Sequence, residues 1–186
     1  MRSETGIKSF KNKKGNDVVF RYPTADDFQD MFSFACDLGS EDTFVALDAP
    51  PKEADERIFF DTMLRNTQAK DAIYISVYVN GVFAGNGRVD RGKRRHHHVG
   101  EMGISLRAAY RNEGIGTELM KSLIDEAKAL GLRLLTLSCF ENNAPALHVY
   151  EKLGFQKAGS IPEAIAFKGK YVNEVHMFLP LVHTTK

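Results

Sequence analysis

The chain has no tryptophan, and only two cysteines and six prolines among 186 residues. It also lacks an excess of charge: 25 basic residues against 24 acidic ones leave a net charge of +1. That balance gives no case for a nucleic-acid partner or an anionic membrane. Cys36 and Cys139 stand in apolar surroundings and read as reduced, buried thiols rather than a disulfide framework. No apolar run approaches the about 18–20 residues of a membrane span. The opening MRSETGIKSFKNKKGN is polar, with no signal-peptide core. The expected location is therefore the cytoplasm. No repeat, low-complexity linker or domain boundary is visible. Residues 1–16 read as a flexible tail or an edge strand, and 17–186 as a single domain. A hydrophobic content of 43% is enough to fill one core.

The most informative stretch is 100–132. Met102, Ile104 and Leu106 alternate with Gly103 and Ser105, the pattern of a strand with one apolar face. After Gly116 the period changes. Leu119, Leu123, Ala127 and Leu130 fall on one helical stripe, and Gly131 follows as a C-cap. Between strand and helix lies Arg111-Asn112-Glu113-Gly114-Ile115-Gly116. A helix start offers unpartnered N–H groups and partial positive charge, and glycines let a phosphate come close. A pyrophosphate-bearing ligand fits this order. A Walker loop does not, because Thr117-Glu118 stands where Lys-Ser/Thr is needed. A dinucleotide fingerprint fails too, with Leu119 at the third glycine position.

Around this stretch the chain reads as alternating elements. Residues 17–22 form a strand, Thr24 caps a helix, and residues 52–68 form a second helix. Ile73–Val79 and Val82–Val89 pair through Asn80-Gly81, with glycines that predict a bulge. Residues 132–139 form a nearly continuous apolar strand, parallel to the one before the helix. Asn143 and Pro145 start a helix that Gly154 ends, and two strands follow, joined at Lys168-Gly169-Lys170. His96-His97-His98 is a tempting metal motif, but adjacent strand residues face opposite ways, so no metal site is assigned. A place for one of these histidines at a substrate cleft is left open.

Two motifs in this order carry a family likeness. Arg111-x-x-Gly114-x-Gly116 follows a strand. Asn143 lies seven residues before Tyr150, which opens Tyr-Glu-Lys-Leu-Gly-Phe at 150–155. Together they resemble the GNAT superfamily of N-acetyltransferases, over roughly residues 17–181. The chain departs from the common pattern at Asn112, often glycine, and at Ala108, often proline. The resemblance implies an α/β (α+β) GNAT fold. It has a mixed, twisted sheet of six to seven strands, helices on both faces, and central strands splayed to admit CoA.

It also implies acetyl-CoA as co-substrate, no metal, and acyl transfer to a primary amine by direct attack. The pantetheine edge would be Ile104-Ser105-Leu106, where a backbone N–H would stabilise the oxyanion by roughly 3–4 kcal/mol. Arg111, Asn112, Glu113, Gly114, Ile115, Gly116 and Thr117 would cradle the pyrophosphate, and Asn143 would contact the pantetheine. Tyr150 would be the general acid for the leaving thiolate. Glu101 would be the base, with His98 or a water relay as competitors, and pairing to Arg107 or the 91–95 loop as its non-catalytic reading. The alternative function is a non-catalytic acetyl-CoA-binding sensor or interaction module. The acceptor is open: protein N-terminus, lysine, polyamine or small amine metabolite. Acids at Asp37, Glu41, Asp42, Asp48, Glu53 and Asp55 favour a cationic one. A homodimer is left open; nucleic acid and membrane are not expected partners.

Overall fold

The computed structural model describes residues 6–41, 43–45, 47 and 49–181. Strands β1 (Lys8–Lys11) and β2 (Asp17–Arg21) form a hairpin, and a turn of 3-10 helix at Ala25–Asp27 leads into α1 (Phe28–Ser40). Then come α2 (Glu53–Ala69), β3 (Ala72–Val79), β4 (Val82–Arg91) and β5 (Val99–Leu106). The chain ends with α3 (Ile115–Ala129), β6 (Leu134–Phe140), α4 (Ala144–Lys152), β7 (Gln156–Phe167) and β8 (Lys170–Pro180).

Among the described residues one sheet holds eight strands in the order β1-β2-β3-β4-β5-β6-β8-β7. That exceeds the six to seven expected. β1 forms within the lysine-rich opening, where Phe10 pairs with Val18. The Phe10 ring stands edge-on to Phe20 at 5.3 Å between centroids, so the strand is anchored by apolar contact as well as by its ladder. Asn80 and Gly81 take φ of 49° and 80°, the backbone a type I′ turn requires. The expected bulge falls at Ala84, because Val77 pairs with Gly85 and Tyr78 with Phe83.

Two cores cover the two faces. Leu119, Leu123 and Ala127 of α3 are fully buried against Ile75, Val89 and Leu135 of the sheet. Leu147, Val149 and Tyr150 of α4 pack on the same side, with Leu153 just after it. On the other face Phe28, Met31 and Phe34 of α1 meet Phe60 and Met63 of α2 over Tyr74 and Phe83. The helical period sorted these residues to their faces.

The sheet is interrupted at its centre. β5 and β6 pair in parallel only at Val99–Leu134, Gly100–Leu135 and Glu101–Thr136. Beyond that point β5 continues to Leu106 beside β4, and β6 continues to Phe140 beside β8. The two strands therefore part like a fork, each with a backbone edge facing the gap. Such edges need partners, and an extended ligand can supply them.

Candidate active site

Gly114 N-caps α3 with φ of 85°, a conformation a β-carbon would strain. Glu118 N–H is donated to Gly114 O, so the N–H groups of Ile115, Gly116 and Thr117 precede the first intrahelical bond. A β-carbon on Gly116 would touch Ile104 Cδ1 at 3.5 Å and Leu106 Cδ1 at 3.7 Å, so the helix start sits directly over β5. Orphan amides, the helix dipole and a glycine backbone thus meet at one end of the fork.

A cleft of about 420 Å³ runs from this turn into the gap. Ile104, Ser105 and Leu106 line it from β5, and Arg111, Asn112, Gly114, Gly116 and Thr117 from the turn. Asn143 and Tyr150 close it from α4, and Thr43, Phe44 and Val45 from the α1–α2 connection. Most of the residues named from sequence are thus gathered in one place. Two are not. Glu113 is buried, accepts a hydrogen bond from Asn12 Nδ2 and pairs with Lys14 Nζ at 2.6 Å, so its side chain leaves the cleft for the β1–β2 hairpin. Ile115 points into the core because it opens the apolar stripe of α3. Only their backbones remain at the turn.

Arg111 differs from expectation in its charge. Its Nε donates to Leu106 O at 2.9 Å, and its Nη2 pairs with Glu41 Oε2 at 2.5 Å. The guanidinium ties β5 to the end of α1, and the free positive potential at the turn comes from backbone amides. Asn143 Oδ1 accepts from Ala146 N at 3.3 Å as a helix cap, which leaves its NH2 group as the donor toward the cleft. Burial, reinforced by the Cys139 thiol, pushes the Tyr150 phenol up to about 12. It therefore stays protonated throughout the neutral range.

Glu101 is exposed at the last paired rung before the fork, opposite Asp90 on β4 and Thr136 on β6. It has no ionic partner among the described residues, and Arg107 pairs with Asp37 instead. The triple histidine lies elsewhere. His96 ends a 3-10 turn and His98 O receives the N–H groups of Arg133 and Leu134, all ahead of the paired segment Val99–Glu101. These residues sit behind the closed end of the fork, not at the cleft. Among the described residues no group of three or more His, Cys, Asp or Glu side chains is placed to hold a metal.

The structure also shows groups that sequence reasoning missed. On the α1–α2 face, Gly103 and Ser138 are the first residues of β5 and β6 past the fork to present that face. Arg88 is the β4 partner of Gly103, and His176 the β8 partner of Ser138. Arg88 Nε stands 3.8 Å from where a Gly103 β-carbon would be, and 3.2 Å from Asp90 Oδ2. His176 Nε2 lies 3.3 Å from Glu174 Oε2. The parity of β4 alone could have placed Arg88 and Asp90 on one face. The position of β8 beside β6 had no local signal. Two acids of the anionic connection are already engaged, Asp37 with Arg107 and Glu41 with Arg111. Asp42 and Asp48 lie outside the described residues.

A mixed sheet forked at its middle, a helix N-terminus at the mouth and a protonated phenol on the wall form a cleft suited to an extended, phosphate-bearing thioester. Comparison with known proteins agrees with the class. Residues 34–155 match the acetyltransferase (GNAT) family, and the chain belongs to that family. It is 31% identical over 101 residues to the L-amino acid N-acetyltransferase AaaT of Escherichia coli, covering 53% of this chain and 62% of that protein. It is 28% identical over 81 residues to an L-methionine sulfoximine/L-methionine sulfone acetyltransferase of Pseudomonas aeruginosa, covering 44% and 47%. The chain thus spans about half to three fifths of the length of these relatives. Among solved structures it is similar to a GNAT-family acetyltransferase from Streptococcus pneumoniae, with a TM-score of 0.79 and 25% identity over 88% of this chain and 99% of that one. The fold is also similar to a Salmonella typhimurium protein solved with acetyl-CoA, with a TM-score of 0.75 and 18% identity over 91% and 96% of the two chains. Among the described residues no helix is long and apolar enough to cross a membrane.

Proposed function

We propose that this chain transfers the acetyl group of acetyl-CoA to the primary amine of a small, carboxylate-bearing acceptor of the amino-acid kind. The observation that carries the reading is the fork: its cleft is lined by the glycine turn and by Tyr150, and the Glu101–Thr136 rung marks its closed end. When bound, acetyl-CoA supplies an activated acetyl thioester. The open edge at Ile104–Leu106 offers N–H donors for its carbonyl oxygen and for the pantetheine amides. The amides at 115–117 face its diphosphate, and the Asn143 NH2 group reaches the arm between. Glu101, exposed at the closed end of the fork, accepts the proton of the incoming ammonium, either directly or through water. His176, the β8 partner of Ser138, is proposed as the competing base in place of His98.

The acceptor class rests on charge. The polycation reading weakens because Asp37 and Glu41 are neutralised by arginines. Arg88 reaches over the bare Gly103 and is paired with Asp90 through Nε, so an acceptor carboxylate would be met by its Nη groups. The names of the two curated relatives point to amino acids as well. The test is release of free CoA thiol across a panel of amino acids, polyamines and peptides. Turnover is expected on amino acids. Arg88→Ala should raise the acceptor KM about tenfold or more while sparing that for acetyl-CoA. Acetyl-CoA binding without turnover on any amine would replace this reading with the sensor.

A further inference from the structure

A second cavity, also of about 420 Å³, adjoins the first on the far side of Gly114 and Thr117, which line both. Three separate parts of the chain build its walls. Lys11 and Lys13 come from the β1–β2 hairpin, Lys121 from α3, and Lys152 from the last turn of α4. The hairpin is fixed against the cofactor turn. Asn12 is 7% exposed and donates to the buried Glu113 carboxylate, while Lys13 N donates to Glu113 O at 3.4 Å. The Lys13 stem crosses Gly114, with Cε 3.7 Å from where a β-carbon would stand.

The charges here do not cancel. Lys11 pairs with Asp17, Lys14 with Glu113, and Lys8 and Lys121 share Glu118. Along the cavity wall itself Lys11, Lys13, Lys121 and Lys152 stand against Glu113 and Glu118, an excess of two positive charges. Lys13 and Lys152 have no carboxylate partner among the described residues. Uncompensated ammonium groups beside a helix N-terminus make a local potential that attracts a multiply charged anion.

We infer that Lys13 of the N-terminal hairpin and Lys152 of α4 form a seat for the ribose 3′-phosphate of coenzyme A. The inference rests on the acetyl-CoA reading of the first cleft. The diphosphate would occupy the Gly114–Thr117 turn, and the ribose phosphate is the one anionic group of the molecule set apart from it. A cavity sharing that turn, and lined by lysines, is where the third phosphate can go. The hairpin, whose first strand lies in the stretch read from sequence as a flexible tail or an edge strand, then acts as part of the cofactor site.

Titration calorimetry with CoA and with 3′-dephospho-CoA tests this without requiring turnover. The unsubstituted protein should bind CoA about tenfold or more tightly than its dephospho form, the size of one charge-assisted contact. Raised salt should shrink that preference. The double variant Lys13→Gln/Lys152→Gln should bind both at the level seen for dephospho-CoA. Both residues are exposed, so thermal melts should show the fold intact. Equal binding of the two ligands by the unsubstituted protein would overturn the inference. So would a double variant that keeps the preference, or that weakens both ligands alike. Failure of CoA itself to bind would reject the acetyl-CoA reading together with this seat.

Discussion

Tyr150 is held in the cleft with its phenol near 12, because burial penalises the phenolate and the Cys139 thiol adds to that penalty. A thiol of ordinary pKa is near 8.5, so complete proton transfer from Tyr150 to a leaving thiolate runs uphill by roughly 5 kcal/mol. The side chain is better matched to donating a hydrogen bond to the thiolate as charge develops, keeping its own proton while solvent protonates the released thiolate. Tyr150→Phe should lower kcat about 10²-fold, with the KM for acetyl-CoA within a few-fold of unsubstituted, as steady-state kinetics would show. Spacing made Tyr150 and Asn143 readable, since seven residues on one helix fix their relation. For Glu113 and Ile115 the motif names backbone positions, and it carries no signal that their side chains turn away from the cleft. Arg88 and His176 stayed hidden because their partners, Gly103 and Ser138, are neighbours only in the folded sheet.

Among the elements, the entry to α1 is the most strongly specified. Arg21 donates to both oxygens of Asp27 at 2.7 and 2.5 Å, and Tyr78 OH and Thr24 N–H add bonds at 2.9 and 2.8 Å. Burial alone would raise the Asp27 pKa. The bonds from Arg21, Thr24 and Tyr78 outweigh it and hold the carboxylate below its usual range. The sign follows directly: the folded form keeps its charge to lower pH than the unfolded chain. The contribution to stability is complete above about pH 4 and is lost as pH falls through the folded value. Asp27→Asn should cost about 3 kcal/mol at neutral pH, and progressively less as pH falls below about 4, measured by urea unfolding at each pH. The cap at Thr24 was visible in the sequence, since a polar residue before an acidic first turn is a local signal. The arginine partner was not, because it belongs to the preceding strand. The β1–β2 hairpin was half legible for the same kind of reason: its lysines advertise solvent, and only Phe10 marks the buried side.

At the scale of the molecule, periodicity sorted the helices to their faces but could not show a parallel pair that stops pairing. Nothing in Met102–Leu106 or Leu137–Phe140 marks an unsatisfied edge, since a strand spells the same whether or not its neighbour stays. The fork was expected from likeness and is set by where the ladder ends, at Glu101–Thr136. Its backbone edges should exchange amide hydrogens faster than Val99–Glu101 in the free protein, and slow when CoA is added, as mass-resolved exchange would report. Unchanged exchange on both edges at saturating CoA would mean that the ligand does not enter the gap.

The short ladder between β5 and β6 has a mechanical meaning. Strands β6, β8 and β7 join the rest of the sheet through three rungs, and the cofactor would contribute most of what is missing. The protein without its cofactor is then a sheet with a zip left partly undone. Filling the gap would join its two halves, so heat resistance, and not only rate, would follow the supply of acetyl-CoA.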